Sequence, residues 1–472
     1  MRKTKIVCTL GPASDSEQTI SAMMKAGMNV VRLNFSHGTH EEHKKRIDRV
    51  KKIRKELGLP VAILLDTKGP EIRLCDFENG RAELIEGEHF TLTSRQLLGN
   101  SKIASVTLPN LAKQVRAGND ILIDDGKIHL TVEEIDGDDI VCKVVNGGIV
   151  SNHKGINIPG IHLDIPYLSE TDKQDLLFGI ENDIDFVAAS FIRCKEDVIA
   201  LRKFIDYNGG HSIKIISKIE NMEGIQNFEE ILKYSDGIMV ARGDMGVEVA
   251  YELLPGLQKK LIRKCNQAGK IVITATQMLD SMIANPFPTR AEITDVANAV
   301  FDGTSAVMLS GESATGKYPV QAVKVMSKIA KQAEKDAFEM NYFNGIQYEN
   351  DITDMTNAVC DAACTTARDL NVKAIIAVSK SGHTARRMSK FRPVQPIVAA
   401  THVEKTFHQL SLSWGVYPVL ARKQTGLEEL MRHAIDCAKQ DDIVTDGDLV
   451  VMTAGIPLDT AGNTNMLKVQ IV

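Results

Sequence analysis

Five short stretches concentrate side chains able to handle a charged, oxygen-rich substrate. They are Arg32-Leu33-Asn34-Phe35-Ser36-His37, Asp66 to Arg73, Ser217-Lys218-Ile219-Glu220-Asn221, Ala241-Arg242-Gly243-Asp244-Met245-Gly246 and Thr274-Ala275-Thr276-Gln277. Glu220 and Asp244 are hard carboxylate donors of the kind that hold a divalent cation such as Mg2+. Gly243 and Gly246 flank Asp244 and let backbone N–H groups approach an anion where a helix begins. Arg32, Arg73 and Lys218 suit a phosphoryl group whose charge must be stabilised during transfer. Asn34, Ser36, Asp66 and Thr67 supply neutral oxygens and one carboxylate, a mixture that fits a monovalent cation. Each residue also has a plainer reading. Arg32 could be a salt-bridge partner, Asp66 an N-cap, and Lys218 could pair with Glu220 two positions along a strand. Together they are harder to explain that way, because burying so many charges is costly unless a metal or an anion completes the set.

What must position them is a strand–helix rhythm. Lys5–Thr9, Asn29–Leu33 and Val61–Leu65 read as strands. Ser14-x-x-Glu17 and Thr39-x-x-Glu42 read as helix starts, the second followed by Ile47, Val50, Ile53 and Leu57 on one face. From Gly69 to Tyr167 helical periodicity vanishes, and turn signals such as Asp125-Gly126 and Asn146-Gly147-Gly148 break short apolar runs, so an inserted all-β domain is expected. After Ser169-x-x-Asp172 the rhythm resumes with strands at 186–189, 214–217, 237–240, 271–274 and 306–309. Three strands before the insert and five after predict an α/β protein built on a closed (β/α)8 barrel, whose chemistry lies at the C-terminal strand ends. The five stretches sit there. A second α/β pattern starts near Asn350, with strands at 374–379, 396–400, 416–419, 449–453 and 467–472. The expected division is 1–69 with 168–345 for the barrel, 70–167 for the lid and 346–472 for the C-terminal α/β domain.

Composition excludes several classes. The 472 residues carry 56 Lys and Arg against 61 Asp and Glu, a formal charge of −5, which argues against a dedicated nucleic-acid binder. No apolar run approaches the ~20 residues that span a bilayer. The segment after Met1 is too short in its apolar core for a signal peptide. Eight cysteines without a C-x-x-C predict reduced, buried thiols in a cytoplasmic protein. Gly311 to Lys317 matches G-x-x-x-x-G-K, but Tyr318 stands where a phosphate-binding loop needs Ser or Thr, so an ordinary strand-to-helix loop is expected. Ser379-Lys380-Ser381-Gly382-His383-Thr384 lies between a strand and a helix. It reads either as a phosphate cradle or as a plain N-cap turn.

Over its whole length the sequence resembles the pyruvate kinase family. The motifs that carry the resemblance run from Arg32 to Gly38, Leu65 to Arg73, Ile216 to Asn221, Met239 to Val247, Ile273 to Leu279 and Met308 to Ser313. The resemblance implies a barrel, an inserted lid and a C-terminal regulatory domain, without the extra phosphotransfer-like domain of some bacterial relatives. It implies phosphoryl transfer from phosphoenolpyruvate to ADP, giving pyruvate and ATP in glycolysis, in an allosteric homotetramer. Glu220 and Asp244 would hold Mg2+ (or Mn2+), and Asn34, Ser36, Asp66 and Thr67 would hold K+. Lys218 and Arg32 would contact the phosphoryl group, Gly243 and Asp244 the substrate carboxylate, and Thr276 would lie near the carbon that is protonated. Asn34, His37 and Arg73 would meet the nucleotide. Ser379, Lys380, Ser381, Gly382 and Thr384 would bind a phosphorylated effector. Glu71 matches the potassium-dependent form of its motif. Thr171, Ala250 and Phe287 depart from the common pattern. An enolate-forming lyase, and a catalytically silent metabolite-binding relative, remain the alternatives.

Overall fold

The computed structural model describes residues 1–343, 354–424, 426–457 and 463–472. The expected start of the second α/β pattern near Asn350, and the boundary at 345/346, lie outside the described residues.

Eight parallel strands close into a barrel: β1 Lys5–Thr9, β2 Val30–Asn34, β3 Ala62–Asp66, β4 Phe186–Ala189, β5 Lys214–Ile219, β6 Gly237–Ala241, β7 Ile271–Ala275 and β8 Ala306–Leu309. β1 pairs with both β2 and β8, which leaves no edge. The strands are apolar runs because both faces are covered, by helices outside and by packed side chains inside. Val7, Val30, Leu64, Phe186, Ile216, Met239 and Ile273 fill the interior, and Leu412 of the C-terminal domain joins that cluster.

The helix His40–Leu57 begins at the Thr39/Glu42 capping box and buries Ile47, Val50 and Ile53 as its spacing predicts. The Ser169/Asp172 box likewise starts the helix Glu170–Glu181. One expected start is corrected. Ser14 ends a short turn, Pro12–Ser14, and exchanges hydrogen bonds with Gly11, while Ser16 caps the helix Glu17–Ala26 through Thr19 N. Pro12 favours the tight turn and uses up Ser14 before the helix starts.

Between β3 and β4 the chain forms a seven-stranded mixed sheet, from Ile72–Arg73 through Asp120–Ile123 and Ile128–Asp136 to Ile103–Ser105, with a two-stranded ribbon beside it. It has its own core, centred on Phe90, Leu92, Ile121 and Leu130. One helical turn, Leu111–Lys113, interrupts the β structure.

The C-terminal domain is a five-stranded sheet in the order Val416–Leu420, Ile397–Thr401, Ala374–Val378, Leu449–Ala454, Met466–Ile471, with only the last strand antiparallel. The cysteines are all unpaired; Cys75 and Cys194 are half-buried rather than buried as expected. Among the described residues no helix is long and apolar enough to cross a membrane.

Candidate active site

The strand ends deliver their charged residues to one rim. Asn34 and Asp66 are register partners on β2 and β3. Arg32 Nε donates to Asp66 Oδ2 at 2.5 Å, and its Nη1 donates to Thr9 Oγ1 at 3.0 Å. Asp66 is fully buried. Burial opposes its ionisation, but Arg32 and Lys218 outweigh that and hold its carboxyl below the usual carboxylate range. Lys218, on β5, reaches Asp66 Oδ1 at 3.2 Å and Ser190 Oγ at 2.8 Å.

Lys218 Nζ also forms an ion pair with Glu220 Oε1 at 2.8 Å, and among the described residues that oxygen has no other partner. The other carboxylate oxygen of Glu220 accepts the Phe191 N–H at 2.5 Å. Burial would depress the Lys218 ammonium, but Asp66 and Glu220 reverse this and raise it above an ordinary lysine. Glu220 is pushed up to about 7, first by burial, with Lys218 opposing and Asp244 adding to the rise. Both shifts follow from one geometry. Lys218 divides its charge between two carboxylates, so Glu220 faces Asp244 without full compensation.

An all-oxygen pair in which Glu220 Oε1 meets only the Lys218 ammonium fits a hard divalent cation. Among the described residues no three His, Cys, Asp or Glu side chains close a metal site by themselves. Two carboxylates would leave the rest of the coordination shell to substrate oxygens and water. The second candidate set is also oxygen-rich. Asn34 Oδ1 accepts Ser36 N at 3.2 Å, and Thr67 Oγ1 accepts Ser190 N at 3.1 Å. Each of these oxygens keeps a lone pair, which suits a weakly held monovalent cation.

The helix Arg242–Glu248 starts directly from β6 and places Gly243 and Asp244 in its first turn. The Gly243 N–H donates to Thr276 Oγ1 at 2.7 Å, and that hydroxyl donates to Ala275 O at 2.6 Å. Thr276 and Gln277 both have positive φ, +69° and +54°. A β-branched residue there is strained, which turns the hydroxyl out of the strand direction toward the rim.

Above the rim lies a cleft of about 780 Å³ between barrel and lid. It is lined by His37, Glu71, Arg73 and Asp244, with Asp124 and Lys154 from the lid. Arg73 stands on the first lid strand and donates to Glu71 at 2.6 Å, so it belongs to the cleft wall rather than to the Lys218 cluster. Gly69 makes the turn from β3 into the lid at φ +75°, where a Cβ would lie 3.0 Å from Ser190 Cβ. Thr171, Ala250 and Phe287 do not line this cleft.

Three residues that sequence reasoning passed over belong here. Ser190 joins Lys218, Asp66 and the Thr67 carbonyl, Phe191 supplies the amide to Glu220, and Arg193 donates to the carbonyls of Leu163 and Ile165 where the lid returns. All three follow β4. The rule that located the other residues, reading what each strand delivers at its end, finds these when applied to β4.

The G-x-x-x-x-G-K stretch forms a closed turn, as expected. The Glu312 carboxylate accepts the Leu279 and Ser310 N–H groups, and Gly316 N bonds Gly311 O. In the C-terminal domain, Ser379, Lys380, Ser381 and Thr384 line a separate pocket with Arg422 and Lys423. Gly382 precedes the helix His383–Lys390 at φ +72°.

A closed barrel with a cation-rich, carboxylate-bearing rim under a β lid defines an enzyme that handles an anionic substrate at its strand ends. The chain belongs to the pyruvate kinase family. The family model "Pyruvate kinase, barrel domain" matches residues 1–323, and "Pyruvate kinase, alpha/beta domain" matches 357–470. The chain is 50% identical over 475 aligned positions to a pyruvate kinase of Clostridium acetobutylicum, and 47% identical over 473 to one of Clostridium perfringens, covering all of both chains in each case. It is 48% identical to a pyruvate kinase of Sporosarcina psychrophila over all of this chain and 81% of that one.

Proposed function

We infer that this enzyme transfers the phosphoryl group of phosphoenolpyruvate to ADP, giving pyruvate and ATP. The observation that carries the reading is Lys218, a buried ammonium held between Asp66 and Glu220 at the mouth of the barrel. A permanently protonated lysine placed there offsets the charge that develops on a transferring phosphoryl group. Arg32, already oriented by Asp66 and Thr9, adds a second cation. Glu220 and Asp244 would hold Mg2+ or Mn2+. A bound divalent ion there supplies Lewis-acid stabilisation of substrate oxygens.

The start of the Arg242–Glu248 helix, at Gly243 and Asp244, receives the substrate carboxylate. Thr276 orients the proton delivered to the enolate carbon, its hydroxyl being fixed between Gly243 N and Ala275 O. His37 and Arg73 face the nucleotide from the cleft, and Asn34 meets it from the end of β2. Asn34, Ser36, Asp66 and Thr67 take K+. The lid excludes water during transfer, which protects a reactive phosphoryl from hydrolysis.

The domains are proposed as 1–69 with 168–345 for catalysis, 70–167 for the lid and 346–472 for regulation. In the last of these, Ser379, Lys380, Ser381, Gly382 and Thr384 bind a phosphorylated effector. A cytoplasmic homotetramer completes the reading.

The test is pyruvate release from phosphoenolpyruvate with Mg2+ and K+, with and without ADP. ADP-dependent pyruvate is the expected result. Pyruvate without ADP would point to lyase or phosphatase chemistry, and none at all to a silent relative.

A further inference from the structure

The barrel and the C-terminal domain meet along a cleft that no part of the proposed reaction uses. It has a volume of about 400 Å³, within the range of small-molecule sites. One wall is the end of the helix His40–Leu57, carrying Lys51 and Lys55. The other is the short helix Glu404–Gln409 with Lys405, Phe407 and His408.

The walls carry four cations, Lys51, Arg54, Lys55 and Lys405, against two carboxylates, Asp183 and Glu404, and the cations are unevenly spent. Lys405 is fully used, on the Asp183 carboxylate and carbonyl and on the Ile184 carbonyl. Arg54 is used on Val61 O and Asp185. Lys51 donates only to a neutral carbonyl, Asn182 O at 2.7 Å. Lys55, one helical turn on, is exposed, and among the described residues its ammonium makes no hydrogen bond or ion pair. Two like charges four residues apart on one helix face repel each other.

His408 adds a second, independent sign. It is 95% buried and its ring lines the cleft; among the described residues neither ring nitrogen has a hydrogen-bond partner, the Glu404 carboxylate lying 3.6 Å from Nε2. A buried polar group left without a hydrogen bond is destabilising, and a ligand that supplies one relieves that. Burial, with Arg54 and Lys405 beside it, keeps the ring neutral. Burial also lowers the Lys51 pKa; the Asp183 carboxylate opposes this, and Arg54 and Lys405 add to the lowering. Leu59, Phe407 and Leu420 supply apolar wall between the charges.

We propose that this cleft is a second anion site, separate from the Ser379–Thr384 pocket, which takes a phosphomonoester with a small apolar body. Lys51 and Lys55 supply two positive charges, matching a phosphate dianion. The apolar wall seats the remainder of the molecule. The ligand would tie the two domains together beneath β3 and β4. There the Asp185 carboxylate accepts the Ile63 N–H, and the same strands carry Asp66 and Ser190 at their far ends.

The test is calorimetric titration of the full chain with phenyl phosphate, in a Lys380→Ala/Thr384→Ala background that silences the other C-terminal pocket. The expected result is a class of binding that excess phosphoenolpyruvate does not displace. Adding Lys55→Glu weakens that class by roughly tenfold or more, about 1.4 kcal/mol. Lys51→Met does the same, and inorganic phosphate binds more weakly than phenyl phosphate. The proposal is overturned if phosphoenolpyruvate displaces all binding, or if Lys55→Glu and Lys51→Met both leave the affinity unchanged. ADP-dependent pyruvate release is read separately, so neither result bears on the catalytic assignment.

Discussion

Lys218 and Asp66 lie 152 positions apart in the chain and 3.2 Å apart at the barrel mouth, with Ser190 Oγ bonded to both. β3, β4 and β5 are neighbours in the barrel, and each contributes one member. Lys218 is thereby fixed in position and kept charged before any substrate arrives. Preorganisation of this kind removes the reorganisation cost at the moment of transfer.

Lys218→Met therefore loses the charge while keeping most of the side-chain volume. The expected fall in kcat is about 10²–10³, with KM changed little. Asp66 retains Arg32, but Glu220 loses its counter-charge, so the variant is also less stable by up to about 3 kcal/mol. Steady-state kinetics and urea unfolding measure the two effects separately. A KM effect with kcat intact would move Lys218 from transfer to ground-state binding.

Glu220 gives a pH signature in enzyme stripped of divalent cations. Its folded pKa is raised to about 7 from the ordinary 4.5. The folded state therefore holds the proton more tightly than the unfolded chain does. This contribution to stability is fully present below about 4.5 and is lost as pH rises toward 7. Glu220→Gln should flatten the fall, and Mg2+ should restore stability at pH 8 to wild type but not to the variant. Chemical denaturation at pH 5 and pH 8 checks this. Equal slopes in wild type and variant would refute it.

The barrel was legible in the sequence because its strands are buried on both faces and read as continuous apolar runs. The lid was legible through the loss of helical periodicity and its Asp-Gly and Asn-Gly turns. Ser14 was misread because the pattern S-x-x-E does not show that Pro12 and Gly11 have already committed it to a turn. Ser190 and Phe191 carry no signal in the sequence because Ser190-Phe191-Ile192, directly past β4, is uncharged, and the Arg193-Cys194-Lys195-Glu196-Asp197 run that follows reads as the start of a helix. The division of Lys218 between two carboxylates depends on which strands are neighbours, and local spacing does not encode that. Arg73 was grouped with Arg32 by residue type, whereas its strand belongs to the lid and its partner is Glu71.

Thr276 combines strain with a held hydroxyl. Thr276→Ser keeps Oγ, removes the β-branch at φ +69° and should keep kcat within a few-fold of wild type, with stability equal or higher. Thr276→Val keeps the shape and loses the oxygen, leaving Gly243 N–H without its acceptor. A fall in kcat of roughly 10² is expected. Solvent-proton incorporation into pyruvate, followed in both variants, separates a protonation defect from a transfer defect. Equal activity in Ser and Val variants would remove the hydroxyl from the mechanism.

The monovalent-cation assignment is tested at Glu71, which lines the cleft and receives Arg73 at 2.6 Å. If K+ balances negative charge near Asn34 and Asp66, replacing K+ by a bulky organic cation should lower kcat by about tenfold or more, equivalent to about 1.4 kcal/mol of barrier. Glu71→Lys removes a carboxylate from the cleft wall and places an ammonium there, so it should retain activity in K+-free buffer and respond weakly to added K+. Its stability should change little, because the Glu71–Arg73 pair is partly exposed and such pairs contribute about 1 kcal/mol or less. Initial rates across a K+ titration, for wild type and variant at saturating Mg2+, decide the point. A wild type indifferent to K+ would dismiss the site, while a K+-dependent Glu71→Lys would keep the site and reject Glu71 as its determinant.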